Sequence, residues 1–163
     1  REYDQLLTYL TQYDDDVEKW KVKDISKNLA VNSILLAYAK KARRQNIQVS
    51  MDIRLGESLP IRDIDWIAIL ANMFENAIHG CAGSGQPQQE IDIYISQKGN
   101  KVIIQCRNTS SKEVVFHKGL PQSDKGGGMG VISIIKAASH YEGETDFSVQ
   151  NGMFITRILL NLI

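Results

Sequence analysis

The sequence feature that most constrains the fold is residues 64–81, a segment whose apolar residues recur every three or four positions. This spacing is typical of a helix that packs one face against a core. The positions that follow it are Ile64, Ile67, Leu70, Ala71, Phe74, Ala77, Ile78 and Cys81. Pro60 and Asp63 are start signals for the helix, and Gly80 with Gly83 predicts its end. The chain is therefore expected to be built around one long helix with a buried face.

Two carboxamides on this helix are expected to lie at the edge of the core. Asn72 and Asn76 are four positions apart, so both side chains project from one face. An amide oxygen is a hard, neutral ligand that suits Mg²⁺, because this ion keeps most of its waters and needs few protein groups. The pair therefore indicates a polar partner opposite the helix, with a metal ion as one candidate.

A run of glycines within residues 126–130 leads directly into a second apolar segment, residues 131–140. Such a run leaves backbone N–H groups unshielded at the positive end of a helix dipole, where phosphate groups bind. A flexible linker is the plain alternative, but a linker does not require glycines that open straight into an apolar helix. Together with the two amides, the run predicts a magnesium–nucleotide site.

The other segments predict an α+β fold. Residues 25–44 have helical spacing, and residues 109–125 lack a regular pattern, which suits a mobile lid. Strands are expected at residues 47–53, 91–95, 102–106, 145–150 and 153–163, with hairpin signals at residues 99–100 and 151–152. We therefore predict a two-layer α/β sandwich whose mixed, mostly antiparallel sheet carries the helices on one face.

Two of these motifs resemble those of a known superfamily. Residues 72–79 are similar to the N box of the GHKL ATPases and kinases, and residues 125–131 are similar to its later glycine box. The order and separation of the motifs resemble the sensor histidine kinases, particularly the subgroup of peptide-pheromone receptors. The similarity covers residues 24–163, and the fold it implies is the two-layer sandwich predicted above.

The resemblance implies roles for both amides. Asn76 matches the magnesium ligand, and Asn72 matches a position near the phosphates and the metal. In hydrolysing members of the superfamily the Asn72 position holds a glutamate that acts as a general base for water. An amide cannot take a proton, so this site is expected to hold ATP intact for transfer.

The remaining site residues follow from the same resemblance. His79 matches a position that is often basic and meets phosphate, although a surface histidine on a helix is an equal alternative. Asn108 matches the aspartate that reads the adenine amino group, but Ser110 and Lys112 replace the glycines that normally follow, and an asparagine in a turn is the alternative. The glycine box and its neighbours supply the phosphate contacts: Lys125, Gly126, Gly128, Met129 and Gly130.

The expected function is that of the ATP-binding catalytic domain of a sensor histidine kinase. It transfers the γ-phosphate of Mg–ATP to a histidine outside this chain, since none of the three histidines lies in a phospho-acceptor motif. The expected partners are the histidine-phosphotransfer and dimerisation helices of the parent protein, which forms a homodimer, and a downstream response regulator. An anti-sigma-type serine kinase of the same fold and a degenerate, non-catalytic GHKL module are the alternatives; the Asn108 substitution favours the latter.

Composition sets the remaining expectations. A net charge of zero and a hydrophobic content of 43% give no electrostatic case for nucleic acid or for membrane contact. Cys81 and Cys106 form no metal-type or disulfide pattern. Residues 1–23 are expected to form a helical extension and linker, and residues 24–163 the catalytic domain. The sequence starts at Arg1, so we interpret the chain as a cytoplasmic portion of a larger, membrane-anchored receptor.

Overall fold

The computed structural model describes residues 25–111, 113–122 and 129–162. The helices in these ranges are α1 (Leu29–Arg44), α2 (Asp63–Ala82) and α3 (Met129–Ser139). The strands are β1 (Gln48–Arg54), β2 (Glu90–Lys98), β3 (Lys101–Thr109), β4 (Phe116–His117), β5 (Leu120–Pro121), β6 (Glu144–Gln150) and β7 (Met153–Asn161). The extension expected in residues 1–23 lies outside the described residues.

Five strands form one sheet in the order β1-β2-β3-β7-β6. β1 pairs with β2 in parallel, whereas the pairs β2–β3, β3–β7 and β6–β7 are antiparallel. The β2–β3 and β6–β7 pairs are hairpins that turn at Gly99 and at Asn151 and Gly152, all with positive φ. The predicted mixed, mostly antiparallel sheet is therefore confirmed.

All three helices pack on one face of this sheet. α2 lies in the middle and contacts α1, α3 and β3. Alternate strand residues such as Ile91, Ile104 and Ile158 are buried beneath it. The two-layer sandwich is therefore confirmed. Among the described helices, none has both the length and the apolar composition needed to cross a bilayer.

The first turns of α2 depart from the predicted apolar stripe. Ile64 and Ile67 are 66% and 50% exposed, whereas Asp65 and Trp66 are buried. The helical spacing of residues 64–81 was predicted correctly, but in the first turns the buried face is rotated relative to the predicted one, because the large indole of Trp66 fills the core here. The helix also continues through Gly80 and ends at Ala82.

The N-terminus of α1 lies four residues later than predicted. Asn28 caps the helix by accepting a hydrogen bond from the backbone N–H of Val31 at 3.2 Å. The Asn32 side chain accepts from the N–H groups of Ile25 and Ser26, at 2.9 and 3.1 Å. These bonds hold residues 25 and 26 in a turn that leads into the helix.

The segment 109–125 was predicted to lack regular structure, and this was wrong for its central part. β4 and β5 form a short hairpin that is separate from the main sheet. Lys118 and Gly119 turn it, with φ of 52° and 77°, as a tight hairpin turn requires. The ring of Phe116 stacks on that of Phe154, which fixes the hairpin against β7.

Candidate nucleotide-binding site

One face of α2 carries the two carboxamides. Asn72, Asn76 and Gly80 are four positions apart and so lie on the same side of the helix. The Asn72 side chain donates from Nδ2 to the carbonyl oxygen of Ala68 at 2.6 Å. Since this bond uses the amide nitrogen, the Oδ1 atom of Asn72 is the part that faces outward.

The start of α3 lies against this pair of amides. A Cβ atom built on Gly130 would lie 3.3 Å from Oδ1 of Asn72 and 3.3 Å from Oδ1 of Asn76. Gly130 is the second residue of α3, and the first four N–H groups of a helix have no partner within it. Two amide oxygens and the positive end of a helix dipole therefore meet at one point.

Asn108 lies at the other end of the same face of α2. Its side chain is buried at the end of β3 and donates from Nδ2 to the carbonyl oxygen of Thr109 at 3.0 Å. A Cβ atom on Gly80 would lie 2.6 Å from this Nδ2 atom, so only glycine permits the close approach. Gly80 is about 6 Å along the helix axis from Asn76, so one face of α2 connects Gly130 to Asn108, and we name this face, with the residues beside it, the cleft.

Other predicted site residues are more peripheral or undescribed. His79 is exposed in the last turn of α2. Met129 is 73% exposed at the first position of α3, so it is accessible from solvent. Lys125, Gly126 and Gly128 lie outside the described residues. The binding roles of all nine predicted residues stay predictions.

A polar network that the sequence analysis missed connects α2 to the end of α3. The buried carboxylate of Asp65 accepts hydrogen bonds from Arg62 Nε at 2.9 Å, from the Tyr141 hydroxyl, and from His140 Nδ1 at 3.0 Å. The same Nδ1 atom of His140 also lies 3.1 Å from Nη2 of Arg62, so the imidazole contacts both members of the Arg62–Asp65 ion pair. The Tyr141 hydroxyl also accepts from the Arg62 N–H at 2.9 Å.

This network sets the ionisation of Asp65. Burial alone raises the pKa of its carboxyl, but the hydrogen bonds from Arg62, Tyr141 and His140 outweigh burial and hold the pKa below its usual value. Burial and the bond to Asp65 raise the pKa of Tyr141. The network therefore joins the N-terminus of α2 to the residues that follow α3 through a charged carboxylate.

Among the described residues, the cysteines and the other candidate ligands form no metal-binding cluster. Burial raises the pKa of Cys81 to about 11 and that of Cys106 further still, so both thiols are protonated and unreactive. The described ranges contain no group of three or more His, Cys, Asp or Glu side chains arranged to hold a metal ion. A metal ion at the cleft would therefore depend on amide and phosphate oxygens.

A concave surface outside the cleft lies at the end of the sheet. It is an open groove of about 1150 Å³ lined by polar residues from the strand ends, among them Gln48, Glu90 and Asn151. Thr109 and Ser110, which follow Asn108, also line it. The groove contains neither amide of α2 and no residue of α3, so we place the candidate site at the cleft.

Comparison with known proteins agrees with this architecture. Residues 61–161 match the family described as the GHKL domain. No curated protein is significantly similar to the chain in sequence.

Several solved structures share the fold. One nucleotide-free form of the catalytic domain of histidine kinase ThkA is 15% identical over 82% of this chain and 92% of that chain, with a TM-score of 0.68. The mycobacterial sensor histidine kinase MprB is 13% identical over 82% and 93%, with a TM-score of 0.61. The histidine kinase AdeS of Acinetobacter baumannii is 16% identical over 82% and 63%, also with a TM-score of 0.61.

Proposed function

The chain belongs to the GHKL domain family, and on that premise we propose that it is the ATP-binding catalytic domain of a sensor histidine kinase. The observation that carries this proposal is the contact between α2 and α3. Both Oδ1 atoms, of Asn72 and Asn76, would lie 3.3 Å from a Cβ on Gly130. Side-chain oxygens for a metal ion and backbone N–H groups for phosphate are therefore adjacent.

The residues in the cleft fit magnesium as the cofactor. Asn76 is the ligand we propose, with Asn72 beside it, and both are partly accessible. Two neutral oxygens suit an ion that keeps several waters and takes its other ligands from phosphates. When bound, magnesium neutralises charge on the phosphate oxygens.

The protein's own groups contribute positioning. The N-terminal N–H groups of α3 orient the phosphates, and Asn108 at the other end of the cleft presents Oδ1 to the adenine amino group, since its Nδ2 is bonded to Thr109. Asn72 cannot act as a general base, so water is not activated there. These features support phosphoryl transfer over rapid hydrolysis.

The acceptor and the partners belong to the same proposal. The γ-phosphate is transferred to a histidine outside this chain, on the dimerisation helices of the parent homodimer. A response regulator then takes the phosphoryl group. In this proposal the domain works in the cytoplasm as part of a membrane-anchored receptor.

Replacing Asn76 by alanine is expected to raise the Kd for Mg–ATP at least about tenfold, because a ligand to a charged group is lost. Calorimetric titration of the folded protein, with magnesium and with a chelator in its place, measures this. In the chelator the variant and the wild-type protein are expected to bind ATP equally, because Asn76 acts through the metal.

Asn100→Ala is the matched control, since Asn100 is an exposed asparagine in the β2–β3 turn, outside the cleft. Its Kd is expected to equal that of the wild type. Equal affinity of Asn76→Ala and wild type in magnesium would remove the metal-ligand assignment. Absence of ATP binding by the wild type would remove the proposed function.

Replacing Gly80 by alanine is expected to weaken ATP binding about tenfold and to lower stability by at most about 2 kcal/mol. The new Cβ displaces the Asn108 amide, which lies 2.6 Å away, whereas alanine favours the helix by about 1 kcal/mol. Gly83→Ala is the control, because its Cβ would make an ordinary contact at 3.5 Å with the His79 carbonyl oxygen. Equal ATP affinity in both variants would contradict the role of Asn108.

A further inference from the structure

α1 contacts the core on one side and α2 on the next. The residues of its buried row face the core: Val31, Leu35, Ala39 and Ala42. Beside this row, the Tyr38 ring stacks on that of Phe74 in α2, at 5.6 Å between centroids. Lys41 Nζ lies 2.7 Å from Oε1 of Glu75, also in α2. The residues on the other side of the buried row recur every three or four positions, and we name them the outer flank: Leu29, Asn32, Leu36, Lys40 and Arg43.

The outer flank lies at the edge of the helix layer. α2 occupies the middle of this layer, and β1, which α1 contacts, is an edge strand of the sheet. Leu29 is 79% exposed, and Leu36, two turns further along, is half-buried. Lys40 and Arg43 follow towards the C-terminal end of α1. The flank therefore presents two apolar side chains and then two cations on the side of α1 that faces away from α2.

The chain joins the domain at this flank. The side chain of Asn32 accepts hydrogen bonds from the backbone N–H groups of Ile25 and Ser26, at 2.9 and 3.1 Å. Asn28 then begins α1 as its N-cap. Because Asn32 belongs to the outer flank, residues 25 and 26 are held against it. Residues 1–24 are therefore tethered beside the flank, which gives them a high effective concentration there.

The sequence of residues 1–24 matches the chemistry of the flank. Its apolar residues recur at helical spacing: Tyr3, Leu6, Leu10, Tyr13, Val17 and Trp20. An acidic run, residues 14–16, lies about ten residues before the turn at residues 25–28, and Lys40 and Arg43 lie about 12 and 15 residues after it. At 1.5 Å per helical residue, both sets of charges are roughly 15 to 20 Å from the turn.

We propose that residues 3–20 dock on the outer flank of α1 as an antiparallel amphipathic helix. The apolar row packs against Leu29 and Leu36, and removal of these side chains from water drives the docking. The acidic run lies against Lys40 and Arg43, and this charge match fixes the direction and register of the segment. The inference concerns a surface away from the cleft, so it holds whether or not the chain binds a nucleotide.

Hydrogen exchange of the full chain, followed by mass spectrometry, tests the docking. A synthetic peptide of residues 1–24 gives the exchange rate of the undocked segment. In the wild-type protein, residues 3–20 are expected to exchange at least about tenfold more slowly than in this peptide, because docking must open before exchange. Leu36→Asp places a carboxylate on the flank and is expected to return the rate to within about threefold of that of the peptide.

Ala37→Asp is the matched control, since Ala37 is the next residue of α1, is exposed and lies outside the flank. Residues 3–20 are expected to exchange in it at the wild-type rate. Slow exchange of α2 and β3 in both variants shows that the domain is folded. Trp20→Asp changes only the segment, so it replaces Leu36→Asp if that variant fails to fold, and the same faster exchange is expected.

Charge reversal tests the direction of the docked segment. Lys40→Glu and Asp15→Lys are each expected to speed the exchange of residues 3–20, and the two together are expected to restore slow exchange. Peptide-like exchange of residues 3–20 in the wild type overturns the inference, as do equal rates in Leu36→Asp and Ala37→Asp. Protection that disappears on dilution also overturns it, because the segment then binds a second copy of the chain.

Discussion

Replacing Asp65 by alanine is expected to lower the free energy of unfolding by about 2–3 kcal/mol. Its carboxylate is 3% exposed and accepts hydrogen bonds from three side chains, those of Arg62, Tyr141 and His140. Loss of the carboxylate leaves these donors without their shared acceptor. Because Arg62 and His140 are themselves substantially exposed, they regain water, which keeps the loss below that of a fully buried ion pair. Urea denaturation at pH 7 measures the change.

The matched control is Asp63→Ala, which removes an exposed carboxylate from the same first turn of α2. It is expected to change stability by no more than about 0.5 kcal/mol.

The stabilisation by Asp65 also depends on pH. The pKa of Asp65 is lowered in the folded state. The carboxylate therefore contributes its full stabilisation at pH values above its pKa in the unfolded chain, about 3.9. This contribution is lost as the pH falls through the pKa of Asp65 in the folded protein. A difference between Asp65→Ala and wild type that stayed constant from pH 7 to pH 2 would contradict the charged network.

Replacing Gly130 by valine is expected to weaken Mg–ATP binding about a hundredfold, or about 2.7 kcal/mol. Even one added carbon would lie 3.3 Å from the Oδ1 atoms of both Asn72 and Asn76, and the two methyl groups of valine extend further into the cleft. The side chain therefore separates the amides from the N-terminus of α3. Calorimetric titration with Mg–ATP measures the loss.

Valine is no worse than glycine within a helix, but its side chain must displace the amides that a Cβ already meets at 3.3 Å, so stability is expected to fall by about 1–3 kcal/mol. Ile132→Val serves as the control, because it places valine in the same turn of α3 at a position that is 57% exposed. Mg–ATP affinity that survived in Gly130→Val would show that the ligand does not lie between α2 and α3.

The fold was largely predictable from the sequence because its elements carry strong local signals. Alternating apolar residues marked β1, and the Gly-Asn and Asn-Gly turns predicted the pairing of β2 with β3 and of β6 with β7 as hairpins. Which face of α2 is buried in its first turns was less predictable. Apolar spacing identified the helix, but Ile64 and Ile67 had to be exposed once Trp66 filled the core, and spacing alone does not decide between these faces.

The site was predictable only in part. Asn72 and Asn76 were found because their spacing of four is a local property of a helix. The Asp65 network was missed because its partners, apart from Arg62, lie 75 and 76 positions away along the chain. The one signal in the sequence was an aspartate between Ile64 and Trp66, inside an apolar run.

The most direct test of the site is paramagnetic broadening by Mn²⁺ in place of Mg²⁺, with ATP bound and the amide signals followed by NMR. The account predicts that the side-chain amide signals of Asn72 and Asn76 and the backbone N–H signal of Gly130 broaden first, while those of Asn100 stay sharp. Broadening centred on the groove at the end of the sheet, around Gln48, with sharp signals from Asn76 and Gly130, would contradict it.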